Sequence, residues 1–470
     1  MKNINFYTDY FKVDTNIINK VISVALSKGG DFCDLYFQYS ESNSLTLEDG
    51  VVNKTFAEID IGVGIRVLKG EQTGFSYTEV LTLESMVKAA RMAASIASTS
   101  KNIKPIKFKE ISPTKYYSEK VRISGVSKKV KLLRELNDKI FSIDKCVVKS
   151  SSNIADSSTV ILYANSEGVI VGDIRPMARL ISNVIAEDGN KREQNRFDLS
   201  GRYGIDYFLE EKLDYIATNA VNSTIELFDA QPIKGGTMEV VLAAGSSGIL
   251  LHEAIGHGLE ADFNKKGSSI FANKMGQRVA KEFVSIVDDG TNNMSRGAIN
   301  VDDEGVLSQK TFLVRNGILE SYLHDRQTAK FYKVKPTGNG RRESFRHLPM
   351  PRMRNTYMQP GLNTSEDLIK SVKKGILVET FTNGQVLIGG GDFTFYVKSG
   401  YYIENGEKKH PIKDVNIIGN GPQVLSDIVM VANDLKMTEG GWTCGKDGQS
   451  VPVSMGLPTT KISKLVVGGN

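Results

Sequence analysis

Cysteine, histidine and tryptophan are scarce in this chain, with 3, 5 and 1 residues among 470. Cys33, Cys146 and Cys444 are odd in number and far apart, which argues against a disulfide framework and fits a reducing compartment. No stretch approaches the roughly 18 apolar residues that a membrane-crossing helix needs. The opening Met1-Lys2-Asn3-Ile4-Asn5-Phe6 has no apolar signal segment. A cytoplasmic protein without membrane contact is therefore expected. Charge of one sign is also missing, since the net charge of +5 is small for this length. The densest basic stretch, 101–120, mixes Lys104, Lys107 and Lys109 with Pro105, Pro113, Tyr116 and Tyr117. It reads as a solvated linker rather than a phosphate track, and direct nucleic-acid binding is not expected. What is present is an ordinary globular composition, 40% hydrophobic and 24% charged, in a chain long enough for two domains or more.

The patterning predicts an α+β protein. Ile17, Ile18, Val21, Ile22 and Ala25 keep helical spacing up to Gly29-Gly30, a helix stop. Strands are expected at Leu45 and Leu47 and, by strict alternation, from Ile59 to Val67. A helix from Leu83 to Ala97, capped by Thr82, closes this first pass. A second pass follows: a helix from Lys128 to Phe141, strands near Val147, at Val160 to Tyr163 and at Val169 to Ile185, and a helix from Phe208 to Phe228. Glu48-Asp49-Gly50-Val51-Val52 and Ser166-Glu167-Gly168-Val169-Ile170 hold similar places in the two passes, a weak sign of internal duplication with halves of about 1–100 and 121–232. The domain boundary is placed at Gln231-Pro232, giving units 1–232 and 233–470. The second unit is expected to be mainly β and barrel-like, with Asn316-Gly317, Asn383-Gly384 and Asn405-Gly406 as hairpin turns. Met238 to Ala243 would be the strand feeding the Gly245-Ser246-Ser247-Gly248 turn, whose serines are expected to cap the helix that follows.

That helix carries the chemistry. His252-Glu253-Ala254-Ile255-Gly256-His257 closes an apolar run, Ile249 to Leu251, and offers two imidazole ligands with a glutamate beside the first. The spacing is one residue wider than in the commoner His-Glu-x-x-His. On a regular helix, positions five apart lie about 140° apart, so His252 and His257 could share a metal only if the helix widens by one residue into a π-bulge. Gly256 would allow that distortion. The competing reading is two unrelated surface histidines. A third ligand is needed, and Cys444, within Gly440-Gly441-Trp442-Thr443-Cys444-Gly445-Lys446, is the candidate; Lys446 would ease loss of its proton. A buried hydrophobe is the commoner fate of a free cysteine, and Glu260 and Asp262 are rival ligands or partners that orient the imidazoles.

The stretch His252 to Asp262, the segment Arg346-His347-Leu348-Pro349-Met350-Pro351-Arg352-Met353 and the segment Cys444-Gly445-Lys446-Asp447-Gly448-Gln449-Ser450-Val451-Pro452-Val453 together resemble the TldD/PmbA family. The likeness is strongest after about residue 235. It implies a zinc metallopeptidase that cleaves unfolded peptides, some members removing leader segments from ribosomally made peptides. Carried over, it makes His252, His257 and Cys444 the ligands of one zinc ion and Glu253 the catalytic carboxylate. Because all four are kept, the chain falls with the metal-bearing branch rather than the metal-free TldE/PmbA branch. The resemblance also implies a dimer, with itself or with a metal-free paralogue. The family has carried the label of a DNA gyrase modulator, which nothing in these residues explains.

For substrate, Gly389-Gly390-Gly391-Asp392-Phe393 opens an alternating aromatic strand to which an extended peptide could add, with a β-bulge or barrel corner as the bland alternative. His324, His347, Arg352 and Arg354 are candidates for steadying an oxyanion or carboxylate, each also readable as a structural hydrogen bonder. Two rival functions stand beside the peptidase. One is a metal-dependent hydrolase of small molecules, disfavoured for deaminases by the lack of their His-x-Glu and Pro-Cys-x-x-Cys signature. The other is a regulatory or chaperone-like subunit whose zinc is structural, which would call for a fourth protein ligand.

Overall fold

The computed structural model describes residues 2–99, 103–387 and 389–469. The start of the lysine and proline stretch, at 101 and 102, lies outside them. The first half follows one plan twice. Helix Thr15–Leu26, capped by Asp14, leads to strands Phe32–Glu48, Val51–Lys69 and Gln72–Thr78 and to helix Leu83–Ala93 behind its Thr82 cap. Beyond the linker come helix Val126–Ile143, strands Val147–Asn165, Val169–Asp188 and Lys191–Gly201, and helix Glu210–Ile225. The turn at Asp49-Gly50 (φ 47° and 80°) and the turn at Gly168 (φ 87°) join the first two strands of each set.

The leading strands of the two sets pair antiparallel from Asp34↔Asn165 to Glu48↔Ser151, producing one seven-stranded sheet. Strand side chains alternate between faces, so Leu35, Phe37, Leu45 and Leu47 share one face. That face is covered by Thr15–Leu26 and Leu83–Ala93 at one end and by Val126–Ile143 and Glu210–Ile225 at the other. The opposite face presents Tyr36, Ile161 and Tyr163 to Val301 and Phe345 of the second half. Gly62 lets Phe345 lie directly on the sheet, since a Cβ there would stand 2.2 Å from its ring.

In the second half, Lys374–Leu387, Gly236–Leu242, Thr460–Gly468, Val415–Asn420 and Asp392–Glu404 pair in that order, and the last pairs back onto the first, closing a barrel. A second sheet runs from Ile318–Leu319 through Ile286–Asp289 and Asn355–Met358 to Ser454–Leu457 and Lys436–Met437. One core joins Val240, Phe395 and Ile462 of the barrel, Ile286, Leu313 and Met455 of the sheet, and Leu250, Leu251 and Ile255 between them. Asn316-Gly317 and Asn405-Gly406 are turns with positive φ at both residues. Asn383-Gly384 is not a turn. It lies within strand Lys374–Leu387, where Gly384 faces Phe395 and a Cβ would stand 2.1 Å from the ring. The glycine is needed there for close approach, not for chain reversal. Among the described residues, no helix is long and apolar enough to cross a membrane.

Candidate metal centre

The segment after strand Gly236–Leu242 changes pitch twice. Gly248–Leu251 is one α-helical turn, His252–Gly256 is a π turn in which the His257 N–H donates to the His252 carbonyl, and His257–Leu259 is a tight final turn. The extra residue in the π turn does what the wide spacing requires: the two imidazoles meet, with ring centroids 5.1 Å apart and planes at 84°. Two glycines make room for it. A Cβ on Gly256 would stand 2.2 Å from Met353 Sδ, and one on Gly421 would stand 2.1 Å from the Ala254 carbonyl oxygen. The expected serine cap is absent, because Ser247 already has helical dihedrals and its hydroxyl donates to the Val378 carbonyl at 3.3 Å instead.

Cys444 arrives on the hairpin Thr443–Lys446/Gln449–Pro452. Its Sγ is 3.5 Å from His257 Nε2, and the donor atoms of His252, His257 and Cys444 all lie within 4.8 Å of one another. All three residues are buried. Both ring nitrogens of His252 are buried without a hydrogen-bond partner. A buried polar group is normally satisfied, and a metal held by His252 would account for one of these two orphaned nitrogens. Two imidazoles and a thiolate within that span fit zinc, which binds nitrogen and sulfur at about 2.0–2.3 Å. Burial alone would raise the Cys444 thiol, but the His252 and His257 rings beside it, when they carry a proton, hold it down at about 5. Lys446, expected to supply that effect, does not: its Nζ is bonded to Glu260, Asp262 and the Pro351 carbonyl.

Glu260 and Asp262 are not among the three grouped ligands. Glu260 Oε2 is 3.0 Å from His257 Nδ1. Burial works to raise the Glu260 carboxyl, yet Lys446 and His257 pull it down to about 2. An ionised Glu260 assigns the Nδ1 proton to His257 and leaves Nε2 as the ligand atom. Glu253 differs from its neighbours in being reachable. Its side chain is 27% exposed, and its Oε2 lies 3.8 Å from His257 Nε2.

The other sequence candidates go elsewhere. Arg352 is fully buried and donates to the carbonyls of Cys444 (2.5 Å) and Gln449 (3.3 Å), bracing the hairpin rather than facing a substrate. Arg354 is committed to Asp288 at 2.8 Å. His324 is buried against Tyr322 and Tyr332, lies 3.4 Å from the Thr328 hydroxyl, and is held by burial at about 4. His347 pairs with the Ser344 hydroxyl at 3.0 Å. The peptide-adding strand is a correction. Asp392–Val397 is already paired on both edges, to Phe381–Leu387 and to Val415–Asn420, so no strand can add there. Gly389–Gly391 form the turn before it, and the Gly391 carbonyl accepts from Gly421 N–H, which rests on the π turn. Sequence reasoning missed the packing partners Met353 and Gly421, and nothing in their local sequence signals them. It also missed a cleft of 1330 Å³ between strand Lys191–Gly201 and the barrel, whose wall includes Gly245, Ser246, Trp442 and Thr443, the last directly before Cys444.

Comparison with known proteins gives the family. Residues 33–97, 119–228 and 235–469 match the first, central and C-terminal domains of the PmbA/TldA metallopeptidases. A metalloprotease TldD homolog of Haemophilus influenzae is 40% identical over 97% of both chains. A zinc metalloprotease TldD homolog of Saccharolobus solfataricus is 28% identical over 96% of this chain and 99% of its own. Two solved structures share the fold: a Thermotoga maritima protein described as a DNA gyrase modulator (TM-score 0.79, 24% identity, 96% and 99% of the two chains) and TldE of Thermococcus kodakarensis (TM-score 0.78, 18% identity, 96% and 100%). The chain belongs to the PmbA/TldD metallopeptidase family.

Proposed function

We propose that this protein is a zinc-dependent metallopeptidase that hydrolyses amide bonds of unfolded peptides in the cytoplasm, with leader segments of ribosomally made peptides among its substrates. The observation that carries this reading is the convergence of His252, His257 and Cys444, with unpartnered His252 nitrogens, beside the partly exposed Glu253. His252, His257 and Cys444 would hold the zinc, which would supply Lewis acidity to the site. Glu253, the reachable carboxylate beside them, would accept a proton from the attacking water and return one to the leaving amine. Glu260 holds His257 in the tautomer that binds through Nε2. The cleft beside Trp442 and Thr443 offers an extended chain a route to the site, and strand Lys191–Gly201 on its wall has, among the described residues, only Val169–Asp188 as a strand partner.

The ligand count speaks against a purely structural zinc, which normally has four protein ligands. Among the described residues the group holds three. For partners, the fold shared with a TldE supports pairing with a metal-free paralogue or with a second copy. The test is Glu253→Gln. Zinc should stay bound while cleavage of an unstructured peptide falls by about 100-fold or more. Retained activity would remove Glu253 as the base.

A further inference from the structure

Lys446 is buried, 7% exposed, in a hairpin whose neighbouring Gly445, Asp447 and Gly448 are all exposed. A charged group is rarely taken out of water without full compensation. Here the compensation is complete: Nζ donates to Glu260 Oε2 at 3.0 Å, to Asp262 Oδ1 at 2.8 Å and to the Pro351 carbonyl at 3.0 Å, using all three ammonium donors. The Glu260 oxygen involved is the same one that meets His257 Nδ1, and the other oxygen, Oε1, is buried without a hydrogen-bond partner. The orientation of the carboxylate is therefore set through Oε2 alone, by Lys446 on one side and His257 on the other. We propose that Lys446 is a positioning residue for the metal centre, acting through Glu260 to fix the ring of His257 in its metal-binding orientation. This rests on the metallopeptidase reading above.

Without the ammonium, Glu260 and Asp262 lose their common cation, and Glu260 loses the partner that aims Oε2 at His257. Outer partners of this kind are commonly worth about 10- to 100-fold in metal affinity. The experiment is a double-mutant cycle on the full chain, with zinc affinity read by chelator competition for wild type, Lys446→Met, Glu260→Gln and the double variant. Each single substitution should weaken zinc binding by about 10- to 100-fold, and the double should be no weaker than Glu260→Gln alone. Thermal midpoints of the zinc-free chains are measured alongside. A lysine that only supports the fold would lower the midpoint and leave zinc affinity within about twofold of wild type, which would overturn the proposal, as would additive losses in the double variant. If Lys446→Met does not fold, Lys446→Gln, which keeps a donor for the Pro351 carbonyl, takes its place in the same cycle. Peptide cleavage by wild type is assayed separately. Zinc uptake without cleavage refutes the peptidase reading and leaves the cycle interpretable, whereas a wild-type chain that takes up no zinc overturns both.

Discussion

Gly256 decides whether the two histidines can serve one metal. The π turn presses its Cα against Met353, and a Cβ would stand 2.2 Å from the sulfur. Gly256→Ala should therefore force the turn or Met353 aside. Overpacking of this kind typically costs about 1–3 kcal/mol, to be read by chemical denaturation of the zinc-free chain, and zinc affinity should fall with it because His252 and His257 move apart. Unchanged stability and affinity would mean the turn accommodates a methyl group. At this scale the sequence was legible where spacing alone carries geometry, as in the His252 and His257 pair and the distortion it demands. It was not legible where a side chain reaches across the fold. Lys446 sits two positions from Cys444, and nearness in sequence suggested a role in lowering the thiol; its ammonium instead points to carboxylates nearly two hundred positions away, and the thiol is lowered by the imidazoles.

Hairpin signals show how the same two residue types can serve different ends at the level of the element. Asn405-Gly406 reverses the chain with φ of 53° and 78°, as its sequence predicts. Asn383-Gly384 does not, because Gly384 lies against the ring of Phe395, its partner on the neighbouring strand, and the reversal falls at Gly389–Gly391. The distinction depends on which residue stands opposite, which local pattern does not encode. It has a measurable consequence. Gly384→Ala should destabilise by about 1–3 kcal/mol through the clash with Phe395, whereas Asn383→Ala, exposed and without positive φ, should stay within about 0.5 kcal/mol in the same denaturation assay. Equal effects at both positions would contradict the barrel register. The long strands were seen only in fragments for a related reason: the alternation that marks Ile59 to Val67 is broken elsewhere by polar residues that face solvent, such as Asn53 and Lys54.

The whole molecule is joined through charges buried between the N-terminal sheet and the second half. Arg66 pairs with Asp34 on the sheet and, at 2.7 Å, with Glu304, while Arg175 reaches Asp303 at 2.6 Å. No periodicity in the sequence foretells this, since the partners are scattered from position 34 to position 304. The cluster also predicts a pH dependence. Burial first, and then the charge of Glu304, raise Asp302 to about 7 and Asp325 to about 6. A carboxyl whose pKa is raised by folding binds its proton more tightly in the folded state, so its contribution is present at low pH and is lost as pH rises through the folded value. Between about pH 4 and 7 ionisation of Asp302 and Asp325 lowers stability while Cys444 and His324, both held down by the fold, raise it, so the effect is read as a difference: the stability of the zinc-free wild type relative to Asp302→Asn should fall as pH rises, from an acidic range in which the variant lacks an oxygen that accepts the Gly340 N–H. A difference that stays constant or grows with pH over this range would contradict the assignment.

The central claim is that His252, His257 and Cys444 hold a catalytic zinc. Elemental analysis of the purified chain and of Cys444→Ser, with cleavage of an unstructured peptide assayed on the same samples, tests it most directly. The account predicts about one zinc per chain and peptide cleavage in wild type, with both lost or sharply reduced in the variant. Full zinc content and undiminished cleavage in Cys444→Ser, or no zinc in wild type, would contradict it.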